Sequence, residues 1–247
     1  MVLSHSADAA QGKLAEARRH QDEGVARHRA IGDLGGLELI VVNSALIELY
    51  TTWDSARVRD LLSDYVESDD FSAMPAGAHD WPSLAYTMTL TGDEEGLVDI
   101  FDRWSDALGP SAGTALSEAR TAAEALQRTD ASSALSGLAA YRAQVGCPHC
   151  FEWQIAELSE SAGDAAGAAA AYEQVLAAPF SSSYNELPVA RVQAHERLGR
   201  LYEELGEAGK AAEHYAAFAG AWADADAVFQ PRVRHAAERA AALSGNR

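Results

Sequence analysis

Basic residues are scarce in this chain. Lys and Arg number 19 against 37 Asp and Glu, a net charge of −18. Such a surface repels phosphate backbones and anionic membranes, so nucleic acid and lipid are disfavoured and a basic protein segment is the more natural partner. The same charge also keeps a helical chain soluble, with no partner implied. Cysteine is limited to Cys147 and Cys150, too few for a secreted disulfide framework. No stretch approaches the roughly 20 apolar residues of a membrane span. The opening MVLSHSADAAQGK has neither the basic start nor the apolar core of a signal peptide. The cytoplasm is therefore the expected compartment. β-branched runs are short, the longest being LIVVN at 39–43. A P-loop, a dinucleotide fingerprint and a paired set of zinc ligands are all missing, so no cofactor or metal is expected.

What remains is helix-forming. Hydrophobic residues make up 48% of the chain, and alanine, the strongest helix former, dominates them. The pattern predicts a helix over 9–31, broken by Gly32, Gly35 and Gly36. Helical pairs follow over 37–66, 82–108, 114–144, 147–177 and 189–222, and a last helix over 231–243. Asp54 or Ser55 and Asp80 are candidate N-caps, with Pro82 in a first turn. Residues 67–80 and 178–188 read as loops. The whole chain, 1–247, reads as one all-α domain.

Within that pattern a spacing recurs. Leu198, Gly199 and Tyr202 precede Gly206, and Ala211, Ala212 and Tyr215 follow it. Ile155 and Ala156 precede Gly163, and Ala168, Ala169 and Tyr172 follow. Around Gly92 stand Trp81, Leu84, Ala85 and Met88, then Leu97, Phe101 and Trp104. Trp53 and Thr129 take the turn position in two weaker copies. The frame resembles the tetratricopeptide repeat, with its unit of about 34 residues. That resemblance implies an α-solenoid of about five helical hairpins with a flanking helix at each end. Small residues would let helices approach, Gly199 against Ala211 and Ala156 against Ala168, while Tyr202 and Tyr215 fill gaps between hairpins.

The C-terminal half is similar to the repeat region of large bacterial signalling proteins of Ser/Thr kinase, cyclase or transcriptional-activator type. The similar pieces are GKLAEARRH (12–20), the C-P-x-C at 147–150, AAAYEQVLAAPF (169–180), RLGRLYEELGEAGKAAEHYAAF (197–218) and WADADAVFQPRV (222–233). The resemblance implies a recognition arm without its effector. Gly12, Leu14 and Ala17 sit as in the second helix of a repeat whose first helix is missing, which suggests a fragment or a helix completed by a partner.

Cys147-Pro148-His149-Cys150 is the sharpest chemical motif. It resembles the active site of thioredoxin-fold thiol oxidases, where a helix N-terminus stabilises the first thiolate. That chemistry needs a preceding strand and a later cis-proline loop, and neither pattern is present. The motif also reads as a repeat-opening cap with two small buried thiols. Gly109-Pro110-Ser111-Ala112-Gly113 matches a nucleophile elbow only as a string, because a helix precedes it. Asp224 and Asp226 lack the spacing of a calcium loop.

The remaining site is the concave groove that the first helices of such repeats line. The frame assigns to it Asn43, Ile47 and Tyr50, then Tyr86 and Thr89, then Trp153, Glu157 and Glu160, and last Gln193, Glu196, Arg200 and Glu203. Tyr50, Tyr86 and Trp153 read equally well as packing between hairpins. The expected function is non-enzymatic protein or peptide binding in a bacterial signalling system. A thiol–disulfide protein using Cys147 and Cys150 is the alternative, and a small-molecule sensor a further one.

Overall fold

Aspartate starts six of the helices. Asp33, Asp54, Asp80, Asp93, Asp130 and Asp164 each accept the backbone N–H three residues on, and Ser68 does the same for Phe71. Each such cap satisfies a donor that the first helical turn cannot. Part of the negative charge is thus committed locally. At the far ends, Gly32, Gly92 and Gly146 close helices in the left-handed conformation, where a side chain would be strained.

A computed structural model describes residues 2–128, 130–147, 150–177 and 188–245, with side chains from residue 5 on. The described residues form 14 α-helices and two short 3-10 turns, with no strand. They are α1 (Val2–Ala10), α2 (Leu14–Ile31), α3 (Leu34–Thr52), α4 (Ser55–Val66), α5 (Asp69–Ala73), α6 (Trp81–Thr91) and α7 (Glu94–Leu108). Then come α8 (Gly113–Leu126), α9 (Ala131–Val145), α10 (Glu152–Ser161), α11 (Ala165–Ala177), α12 (Pro188–Glu204), α13 (Ala208–Ala221) and α14 (Gln230–Ser244). The protein is all-helical.

Helix α3 divides the core. Leu37, Val41, Val42, Ala45 and Leu49 pack with Val58 and Leu62 of α4, Leu84 of α6 and Ile100 and Trp104 of α7. Leu46, Ile47 and Tyr50 join a second cluster with Trp153, Tyr172, Leu198, Phe218 and Trp222. A helix apolar on every side is one the core surrounds. Contrary to the expectation that no stretch approaches a membrane span, α3 is long and apolar enough to cross one, but 72% of that window is buried inside the protein.

From α8 to α14 each helix packs on the next, as in a stack. The N-terminal helices depart from that rule, since α1 and α3 both pack against α12. In a simple stack each repeat touches only its neighbours. Gly12 makes a further long-range contact, against the segment between α13 and α14. Its carbonyl accepts the N–H of Asp226 at 3.0 Å, and a Cβ on it would stand 2.5 Å from that of Ala225. The Trp222 indole N–H donates to the Ala10 carbonyl at 3.1 Å.

Several sequence expectations change. The single helix over 9–31 is two, because Gly12 turns the chain at φ 72°. Helix α1 packs on α2, where a missing first helix was expected. The stretch 67–80 is no bare linker: it holds α5 and the 3-10 turn Ala76–Ala78, and it buries Phe71. Gly35 and Gly36, read as part of the break after residue 31, lie inside the first turn of α3, where Gly36 leaves room for the His28 ring. A Cβ on Gly199 would meet the Tyr215 ring at 2.7 Å rather than Ala211. The turn at Thr129 and the loop 178–187 lie outside the described residues.

Candidate functional site

Trp53 holds at the end of α3 the cap position that Gly92 holds at the end of α6. It closes α3 in the left-handed conformation, at φ 60°. A non-glycine residue there costs roughly 1 kcal/mol or more and persists only when its surroundings hold it. They do: Trp53 stacks on Trp153 with centroids 5.6 Å apart, meets Tyr50 edge-on at 6.2 Å, and carries the Arg197 guanidinium 4.9 Å from its ring centroid.

The indole forms one wall of a cleft of about 720 Å³ where the first helices meet the last. Leu14 and Arg18 come from α2, Glu196, Arg197 and Arg200 from α12, and Tyr215 from α13. Val228 and Phe229 come from the segment before α14, and Arg232 and His235 from α14 itself. Ion pairs lock these elements together. Arg18 binds Glu48, Arg200 binds Glu160, and Arg232 holds both Glu196 and the Gln193 side-chain oxygen. Two turns further along, Arg239 pairs with Glu203. The lining combines apolar side chains with four guanidinium groups.

The structure scatters the residues assigned to a groove. Glu196 and Arg200 line the cleft, and Glu160 backs it by pairing with Arg197 and Arg200. Asn43 and Tyr86 reach a smaller hollow of about 390 Å³ between α3 and α6. Ile47, Tyr50, Tyr86, Thr89, Trp153 and Gln193 are buried, which corrects their placement on an open face: they form the seam between helix pairs. Tyr50 and Tyr86 hydroxyls lie 3.5 Å apart, and Gln154 donates to Tyr50 at 3.4 Å. Burial pushes the Tyr50 hydroxyl up to about 12. Burial likewise raises the Glu157 carboxyl. Glu203 is tied to Arg239 and the Tyr215 hydroxyl.

Sequence reasoning passed over Trp53, Arg18, Arg197 and Arg232 as site residues. For Trp53 a signal existed, a large aromatic at a turn position otherwise taken by glycine. For the arginines none did, because they converge from three distant segments.

Cys147 and Cys150 form a disulfide with Cα atoms 5.6 Å apart. The expectation that they open a helix is not met, because α10 begins only at Glu152. Cys147 instead follows the left-handed cap Gly146, and its N–H donates to the Arg142 carbonyl. The pair therefore lacks the helix dipole invoked for a stabilised thiolate. The Arg142 side chain donates to the Cys150 carbonyl at 2.5 Å and ties the turn to α9. Pro148 and His149 lie outside the described residues. Among the described residues, no three His, Cys, Asp or Glu side chains are placed to hold a metal ion. No family model matches this chain, and neither does a curated protein or a solved structure.

Proposed function

We propose that the chain is a non-enzymatic binding module of tetratricopeptide type that captures a segment of another protein in the cleft between α2, α3, α12 and α14. The cleft carries this reading, with its apolar and aromatic lining and its converging arginines. Tryptophan and arginine in a concave site are the usual anchors for protein segments. Consecutive helix pairs turning at Gly92, Gly163 and Gly206 support the repeat assignment, and on this reading the contact of α1 with α12 is where a curled solenoid would bring its ends together. A scaffold or sensor of cytoplasmic bacterial signalling is the setting that fits the C-terminal resemblance, with neither nucleic acid nor membrane as partner.

The test is to pan a displayed random peptide library on the intact chain and on Trp53→Gly, which keeps the turn and removes the cleft wall. Captured peptides should bind the variant at least about tenfold more weakly, as for a central aromatic anchor. Equal binding would move the site elsewhere, and an empty pool would defeat the reading.

The Cys147–Cys150 disulfide favours a second reading, thiol–disulfide exchange with a dithiol or disulfide partner. Insulin reduction assayed with a dithiol donor decides it: no turnover above the Cys147→Ser, Cys150→Ser double variant ends that reading.

A further inference from the structure

Resting on the peptide-capture reading, we infer that the cleft takes an acidic segment of its partner, clustered Asp or Glu side chains beside an aliphatic or aromatic one. The chain's net charge of −18 points the opposite way, but a ligand meets the local charges. Four arginines line the cleft, and Glu196 is the one carboxylate among the lining residues.

The other counter-charges stand behind the wall and are shared. Glu48, its side chain 6% exposed, serves both Arg18 and, at 3.2 Å, Arg57. Glu160 meets Arg197 and Arg200 through a single oxygen, Oε2. Each guanidinium has five N–H donors; Arg18 spends its Nε and Nη2 on both Glu48 oxygens and Arg232 is engaged by Glu196 and Gln193, whereas the one Glu160 oxygen divided between Arg197 and Arg200 leaves most of their donors open. Arg197 is 3.6 Å from Glu160 and is held over Trp53, and the Arg200 side chain is 55% exposed. Asp226, at the same joint, is engaged by the Ala15 N–H.

Open guanidinium forks fit carboxylates in a paired, planar geometry. Beside them lie Leu14, Trp53, Tyr215 and Phe229, with Val228 uncovered at 73% exposure, a surface for the apolar residue of the segment. The acidic remainder of the protein then acts as a filter: it repels acidic chains everywhere but here, which sets register more than affinity.

The experiment reads the composition of the panned pool and the affinities of synthesised members for three proteins. These are the wild type, Arg200→Glu at the cleft, and Arg59→Glu on α4, an exposed site outside the cleft with the same charge change. Circular dichroism checks that all three fold. The expected pool is net negative with at least one apolar residue. Its members should lose about tenfold or more on Arg200→Glu and less than about twofold on Arg59→Glu. A neutral or basic pool whose binding still depends on Trp53 overturns the acidic-segment inference and leaves peptide capture standing. Equal loss on both variants, or displacement of the peptides by oligo(dT), overturns it as well. An empty pool overturns both.

Discussion

The carboxylate of Asp226 accepts the backbone N–H of Ala15 at 2.8 Å, so the first turn of α2 is capped from 211 positions away. The residue at the N-cap position, Lys13, offers no side-chain cap. The helix dipole and its unpaired donors favour an anion at this place, and the chain supplies one from its other end. Beside it, Trp222 and Ala10 are joined by the indole hydrogen bond. Together these contacts tie the turn between α1 and α2 to the segment between α13 and α14.

Asp226→Ala should therefore loosen the joint specifically. Losing a cap costs about 1 kcal/mol, and Asp226→Asn should cost less. Urea unfolding reads the global loss, and amide exchange should speed up in α1 and the first turn of α2. Unchanged exchange there would mean that the cap does not hold the joint.

Gly199 and Gly220 make a paired test of packing against propensity. A Cβ on Gly199 enters the Tyr215 ring, whereas one on Gly220 meets nothing within 4 Å. Gly220→Ala should stabilise by about 0.5–1 kcal/mol. Gly199→Ala gains the same propensity but overpacks, at a cost of about 1–3 kcal/mol, so it should be net destabilising. Thermal melts of the two variants should move in opposite directions.

Glu38 organises the segment read from sequence as a linker. It is buried on α3, and its Oε2 accepts from His79 Nδ1 at 2.6 Å and from the Tyr65 hydroxyl at 3.1 Å. Its Oε1 accepts the Asp80 N–H at 2.6 Å. Glu38→Gln puts an NH2 where an acceptor is needed and should destabilise by about 1–3 kcal/mol. The loss should appear in chemical unfolding, together with faster exchange around Phe71. A variant as stable as the wild type would show that this network contributes nothing.

The His195–His214 contact sets a pH dependence. Their Nδ1 atoms lie 2.9 Å apart. Burial first, and then the neighbouring His214, lower His195 to about 4. On acidification the unfolded chain takes up this proton before the folded one does. The stability His195 contributes is therefore complete above roughly pH 6.5 and is lost as pH falls towards about 4. His195→Gln removes that dependence. The difference in unfolding free energy between wild type and variant should shrink across this window, while the raised carboxyl of Glu157, common to both proteins, drops out. A difference that stays constant with pH would contradict the assignment.

Much of the helical pattern could be read along the chain. Asp54 and Asp80 were recognisable as caps, and Gly92, Gly163 and Gly206 as turns, because capping and left-handed turns depend on residues three or four apart. Reading failed where the deciding neighbour was distant. Gly12 looked like the interior of a helix until Trp222 and Ala225 were seen against it. The apparent linker at 67–80 is ordered by Glu38, far upstream. Tyr50 and Trp153 kept their helical spacing, but spacing alone does not tell an open groove from a closed seam.

The sequence by itself determined that this protein is helical and where most of its helices begin and end, since alanine content, aspartate caps and glycine turns act over a few residues. Tertiary structure alone decided that the two ends meet, that Trp53 becomes a wall, and that arginines from α2, α12 and α14 face one cleft in an acidic chain. Net charge is a sum over the whole surface, whereas a ligand experiences only the charges that folding brings within a few ångströms of it.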